Sequence, residues 1–349
     1  MTWQPPLLPN SPSARLGKVI HSLFEAAGKG DLGEGNPLLI TQAWAEALTD
    51  VEGVMAESWV ESPLLPLSKS VPDFEVRRLR AFERAAGLSR GVGRRKPSRS
   101  GDLGTGSEIW VESDDGLVGG FVDAAIQLAG GVVIRDYKSG VFTEVKSPRT
   151  AKLAHQTQLR LYAALYQSSF GRWPTGLELV PLNGDAIQVE FSPDECASLL
   201  REATEALKRV NGRIQDLILS PHPHLAAGSL ATPAPSTCRY CGYRPACFAY
   251  HAARGESTAA NWPADLAGEI SEVRVLANGR LSVSATDLAL GSVLRARGIN
   301  PDPHRHPGLL FAFPGRQIQI CNLRRTASPK VLSESASTVI YVAQSQGIR

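Results

Sequence analysis

No run of about 18 apolar residues occurs in the chain, which argues against a membrane-spanning helix. The opening residues, "MTWQPPLLPNSPSAR", lack the charged start and apolar centre of a secretion signal. These two absences give the expectation of a cytoplasmic protein without a membrane partner. No internal repeat is found. A large excess of one charge is missing as well. The formal net charge is +3, which does not by itself indicate a nucleic-acid partner. Cysteine is limited to five residues, three of them within ten positions, an arrangement that reads in a cytoplasmic chain as metal ligation before disulfides.

What the chain does have is room for two cores. At 349 residues it accommodates one large domain and a smaller one, and an apolar fraction of 43% with 20% charged residues is that of an ordinary folded protein. Charge is distributed unevenly. The stretch "RRLRAFERAAGLSRGVGRRKPSRS", from Arg77, is densely basic, and the chain beyond residue 260 carries more Lys and Arg than Asp and Glu. Each cluster alone reads as solvated surface; together they are compatible with a polyanionic partner.

Apolar periodicity gives the order of elements. Leu16, Ile20, Leu23 and Ala27 recur at helical spacing, and further helices are expected around 38–49 and 74–87, followed by a Gly/Ser/Arg-rich loop over 88–106. Strands are expected at 107–113, 117–128 and 131–138, separated by "DDG" and "AGG" and so forming an antiparallel meander. A helix over 151–169 follows. The pair Asn183-Gly184 between "LELVPL" and "AIQVEF" predicts a hairpin with a two-residue turn. Ser192 and Glu195 form a capping box with Pro193 at the first helical position, opening a helix to about 217. Beyond a Pro/Ser-rich connection, strands are expected at 267–276, 279–286, 309–313, 316–322 and 338–343. Five short strands in so few residues suggest a small β-barrel of OB type. The domain division is then 1–219, a cysteine-rich segment 220–259, and an OB-like domain 260–349.

"GGFVDAAIQLAGGVVIRDYKSG", from Gly119, carries the chemistry. Asp136 and Lys138 are two apart, so an extended chain points both to one face. Hard divalent cations take oxygen ligands, and two nearby carboxylates supply them. Phosphodiester cleavage uses such a cation to neutralise charge and acidify an attacking water, while a lysine on the same face orients that water. Asp123, Asp136 and Lys138 meet these demands if their strands are paired neighbours. Read singly, each signal is weak: Asp136 and Lys138 also suit a surface ion pair, and His21, Gln158 and Tyr162 suit ordinary helix positions. Glu108 and Glu112, on the preceding strand, read as surface charges rather than as auxiliary ligands.

The ordered set resembles the PD-(D/E)XK nuclease superfamily, and within it the RecB-like branch. "LGKVIHSLFE" is similar to that branch's histidine motif, "GGFVD" and "VVIRDYKSG" to its two carboxylate motifs, and "QLRLY" to its Gln-x3-Tyr motif. The resemblance covers roughly residues 10–250. It implies an α/β fold with a restriction-endonuclease-like αβββαβ core, and a metal site of His21, Asp123, Asp136 and the Tyr137 carbonyl. It further implies Mg²⁺ or Mn²⁺ as cofactor and catalytic roles for Asp123, Asp136, Lys138, Gln158 and Tyr162. Where the branch often has arginine after the first aspartate, Ala124 stands here.

Cys238-x2-Cys241-x5-Cys247 is similar to the C-terminal half of the iron–sulfur staple of AddB-like nucleases, but no cysteine precedes Cys196, so the staple is not carried over whole. Three readings stay open: a 4Fe-4S cluster with another fourth ligand, a Cys3His zinc site completed by His251, or buried free thiols. Cys196 and Cys321 read as buried thiols. Arg239, Tyr240, Tyr243 and Arg244 either contact a nucleic-acid strand or pack around a metal knuckle. The leading expectation is a metal-dependent deoxyribonuclease acting on single-stranded DNA or duplex ends, in repair, recombination or defence alongside a helicase. The alternatives are a non-catalytic DNA-guiding subunit of a helicase–nuclease complex and a metal-stabilised scaffold.

Overall fold

The computed structural model describes residues 6–93, 104–144, 147–219, 230–257 and 261–343. The chain divides into two compact units. One holds residues 12–54 and 66–213; the other gathers Met1–Ser11, Met55–Leu65 and Ile214–Arg349.

The first unit opens with helix α1 (Pro12–Lys29), whose residues Leu16, Val19, Ile20, Leu23, Phe24 and Ala27 are all buried. Their three- and four-residue spacing is the stripe expected of a helix with one packed face. Helix α2 (Pro37–Ala56), the single turn α3 (Leu67–Ser70) and helix α4 (Phe74–Gly93) follow. Helix α4 runs on into the expected 88–106 loop as far as Gly93; residues 94–103 of that loop lie outside the described residues.

Strands β1 (Gly106–Glu112), β2 (Gly119–Leu128) and β3 (Gly131–Lys138) form the expected antiparallel meander. A small hairpin, β4 (Thr143–Glu144) with β5 (Ser147–Ala151), leads into helix α5 (Leu153–Phe170). Helix α5 returns the chain to β6 (Gly176–Pro181), which pairs parallel to β3, as a crossover helix allows. Strand β7 (Ile187–Gln188) completes the sheet in the order β1-β2-β3-β6-β7. Strand β3 is central, and its apolar run Val132, Val133 and Ile134 is buried on both faces, as befits a strand covered on two sides. One core joins Ile134, Leu177 and Leu179 of the sheet to Leu159, Ala163 and Tyr166 of α5.

The β6–β7 connection corrects the predicted turn. Glu178 pairs with Gln188 and Leu179 with Ile187, a register one residue away from that of a two-residue Asn183-Gly184 loop. Only Gly184 of the pair has positive φ, at 93°, whereas a type I′ turn needs both residues there. Helix α6 (Pro193–Ile218) begins as predicted. Ser192 Oγ accepts the Glu195 amide at 3.2 Å, but the Glu195 carboxylate turns to Arg160 at 3.1 Å instead of closing the box.

Among the described residues of the second unit, helix α7 (Phe248–Glu256) precedes seven strands: β8 (Leu266–Val275), β9 (Leu281–Asp287), β10 (Val293–Ile299), β11 (Gln317–Cys321), β12 (Arg324–Arg325), β13 (Val331–Ser333) and β14 (Val339–Val342). Their order is β12-β13-β10-β9-β8-β11-β14, a sheet curled into a half-barrel. Five short strands were expected here, and the described residues hold seven. Strand β10 was unforeseen and pairs parallel to β13. Residues 309–313, read as a strand, instead include the end of a 3-10 turn over Pro307–Phe311. Its core consists of Leu266, Ile270, Val283, Ala296, Ile320 and Ile340 with their neighbours.

Candidate active site

The candidate site forms where β2 and β3 emerge beside α1 and α5. The β2–β3 ladder pairs Ala124 with Arg135, so one step further Asp123 stands opposite Asp136. Asp123 also ties the two strands together, its Oδ2 accepting the Tyr137 amide at 2.6 Å. Helix α1 is fixed over β3 by Phe24, whose ring meets Tyr137 edge-on at 5.1 Å. One turn earlier on α1, His21 Nδ1 lies 3.5 Å from Asp123 Oδ2.

Asp136 is 3% exposed. The Lys138 ammonium, on the same strand face, lies 2.5 Å from its Oδ2. That oxygen nevertheless makes no hydrogen bond of acceptable geometry, so it is charge-compensated but not hydrogen-bonded. Burial pushes the Asp136 carboxyl above the usual range; the Lys138 charge opposes this and the Asp123 charge adds to it. His21 balances similar forces. Burial by itself lowers its pKa, but the Asp123 hydrogen bond and the charges of Asp123 and Asp136 outweigh that, and the net shift is upward.

Helix α5 supplies the other half. Lys138 Nζ donates to Gln158 Oε1 at 3.3 Å, and Gln158 Nε2 donates to the Tyr162 hydroxyl at 3.3 Å. A glutamine suits this place because one amide carries both an acceptor for the ammonium and a donor for the phenol. The four-residue spacing of Gln158 and Tyr162 sets them on one helix face. Burial raises the Tyr162 pKa, which keeps it a neutral phenol. Gly120 makes room for this ring: a Cβ there would stand 3.2 Å from Tyr162 Cε1.

The structure therefore brings together His21, Asp123, Asp136, Tyr137, Lys138, Gln158 and Tyr162 from α1, β2, β3 and α5. It also changes the reading of Glu108. In β1, Ser107 pairs with Ala124 and Ile109 with Val122, which leaves Glu108 at the register position opposite Asp123 but outside the ladder. Its φ of 52° is left-handed, a conformation that side chains with a Cβ adopt at a cost. Burial, followed by the charge of Asp123, raises its carboxyl pKa. The sequence signal available was only its alternation with Ile109, which does not reveal a reversed backbone.

Among the described residues, no three His, Cys, Asp or Glu side chains are drawn close enough to hold a metal ion as they stand. For the carboxylate site the donor chemistry still fits a hard divalent cation. Two carboxylates, an imidazole and a backbone carbonyl are at hand, and one buried carboxylate oxygen lacks a hydrogen-bond donor. Of the three readings of the cysteines, the metal-centred ones find no support here: Cys238, Cys241 and Cys247 form no disulfide and no metal-holding group among the described residues, and a 4Fe-4S cluster is not supported. Cys238 is buried against Tyr250 and Trp262, and Cys247 Sγ accepts the Tyr250 amide at 3.4 Å as an N-cap of α7. His251, the fourth ligand in the zinc reading, has its Nε2 3.1 Å from the Pro245 carbonyl. Cys196 and Cys321 are buried, as expected. Arg244 is committed to an internal ion pair with Asp265, whereas Tyr240 is 83% exposed.

A family model described as the PD-(D/E)XK nuclease superfamily matches residues 5–248. No curated protein and no solved structure gives a significant match.

Proposed function

The chain belongs to the PD-(D/E)XK nuclease superfamily, and from that membership we propose that it is a divalent-metal-dependent deoxyribonuclease of the RecB-like branch. Nuclease activity is the general property of the superfamily. The observation that carries the finer reading is the Lys138 ammonium, held between the Asp136 carboxylate and the Gln158 amide. The order of His21, Asp123, Asp136-x-Lys138 and Gln158-x3-Tyr162 supports the branch. Catalysis is assigned to residues 1–219. The cysteine-rich segment 220–259 and the β-rich segment 260–349 are assigned to DNA binding, and work alongside a helicase in repair, recombination or defence belongs to the same proposal.

Bound Mg²⁺ or Mn²⁺ supplies positive charge to the scissile phosphate and acidity to a water. Asp123, Asp136 and His21, with the Tyr137 carbonyl, are the donors that would hold it. The chain's own residues do the rest. Lys138 orients the water and meets the negative charge that develops on the phosphate oxygens. Gln158 fixes the ammonium, and Tyr162 fixes Gln158. In the hydrolysis, the water oxygen forms a bond to phosphorus, the ester bond to one deoxyribose breaks, and the departing oxygen leaves as a hydroxyl with the water's proton.

The test is hydrolysis of linear single- and double-stranded DNA with Mg²⁺ or Mn²⁺. Lys138→Ala is expected to lower the rate by about 100-fold or more while the protein still folds and binds DNA. Unchanged cleavage by this variant refutes the assignment. A second reading, a non-catalytic DNA-guiding subunit, is favoured by the lack of a preassembled metal group among the described residues. DNA binding without cleavage under any divalent ion would select it.

A further inference from the structure

Two large aromatic residues stand in the open beside this site. Trp110 of β1 and Phe121 of β2 are directly opposed across the ladder, with ring centroids 4.9 Å apart and planes at 65°. They are 49% and 53% exposed, so each ring keeps a solvent-facing surface. The indole is not left to wander. Its Nε1–H donates to Glu112 Oε2 at 3.0 Å. Beneath it lies Gly119, where a Cβ would come within 2.7 Å of Trp110 Cζ2, so the seat of the ring depends on a glycine. Phe121 is two residues from Asp123 along β2, about 7 Å on an extended strand. Trp110 is two residues from Glu108.

We propose that the Trp110–Phe121 pair is a stacking platform for an unpaired base of the DNA strand whose backbone enters the carboxylate–lysine site. The proposal rests on the nuclease reading and adds to it a preference for single-stranded DNA. Three physical points favour a base as occupant. Two rings offer far less area than the roughly 800 Å² per partner of a stable protein interface, but match the size of one base. The carboxylate of Glu112 disfavours a phosphate at this spot and leaves the uncharged base as the part of the strand the patch accepts. A base inside a duplex has its faces already covered by its neighbours, so only an unpaired one is free to stack.

The experiment measures equilibrium binding of the full chain to two labelled 20-nucleotide probes at fixed salt, with Ca²⁺ replacing Mg²⁺. One probe is oligo-dT and the other an abasic strand of the same charge. The wild type is expected to bind oligo-dT about 10-fold more tightly than the abasic strand, the scale of one stacked base. Trp110→Leu with Phe121→Leu should erase that preference and leave abasic binding unchanged. The ring-keeping change Trp110→Phe should retain most of the preference, which controls for a folding defect. Equal binding of both probes by the wild type, or a full preference in the double leucine variant, overturns the platform. Cleavage with Mg²⁺ but no base preference removes the platform alone. A base preference without cleavage under Mg²⁺ or Mn²⁺ supports the platform and removes the nuclease reading.

Discussion

His21 sits between two carboxylates and a lysine, and its protonation is coupled to the fold. Its folded-state pKa is raised above the ordinary 6.5, because the hydrogen bond and charges from Asp123 and Asp136 outweigh burial. The imidazolium therefore stabilises the folded form. That contribution is complete below the ordinary value and is lost as the pH rises through the raised one. Metal-free wild-type protein should accordingly lose more Tm than His21→Asn between about pH 6 and pH 8. A Tm difference between the two that does not vary with pH would contradict this coupling. Since a metal takes the neutral imidazole, proton and cation compete for the same nitrogen, and Mn²⁺ affinity should rise over the same interval. Glu108 marks what the residue scale hides. A one-letter sequence records its charge but not the left-handed backbone that removes it from the β1–β2 ladder.

At the scale of elements, the site depends on how α1 and α5 are held against the central strand. Phe24 is 1% exposed and is the ring that meets Tyr137. Phe24→Ala should cost about 3–5 kcal/mol by urea denaturation, the usual range for emptying such a position. It should also weaken Mn²⁺ binding, because His21 shares its helix; stability loss with unchanged metal affinity would show that α1 does not position the histidine. The elements of this unit were legible because their signals are local. Strand-like runs separated by "DDG" and "AGG" gave the meander, and an apolar stripe gave α1. The C-terminal sheet was less so. Strand β10 alternates Arg295 and Arg297 with buried Leu294 and Ala296, but a register shift between Arg297 and Ile299 breaks the alternation before Ile299, which is buried as well. "LLFAF", read as a strand, lies between Pro307 and Pro314, and Leu310, Phe311 and Phe313 stay exposed. An apolar run without alternation says nothing of which face it offers. The three cysteines left metal ligation and free thiols both open, because ligand spacing in sequence does not fix how thiols are arranged in space.

On the scale of the whole molecule, distant stretches are held by a few buried polar groups. The Arg244 guanidinium reaches both oxygens of Asp265, at 2.7 and 3.1 Å, and Asn322 Oδ1 at 2.5 Å. Tyr250 donates to the same Asp265 carboxylate at 2.8 Å. Arg244 and Asp265 are each 3% exposed, so Arg244→Ala leaves the buried Asp265 carboxylate without its paired guanidinium and should cost about 3–5 kcal/mol in a denaturant titration of the full chain. A loss under about 1 kcal/mol would mean that water enters the gap and compensates. The same unit draws its parts from both ends of the sequence. Leu8 and Val60 pack with Cys321 and Val339, and the Tyr341 hydroxyl donates to the Leu7 carbonyl. During synthesis on the ribosome, the segments around Leu8 and Val60 leave the exit tunnel long before the strands they pack against exist. Those early apolar segments must stay uncovered for most of translation, which makes them the places where a chaperone would find a hold.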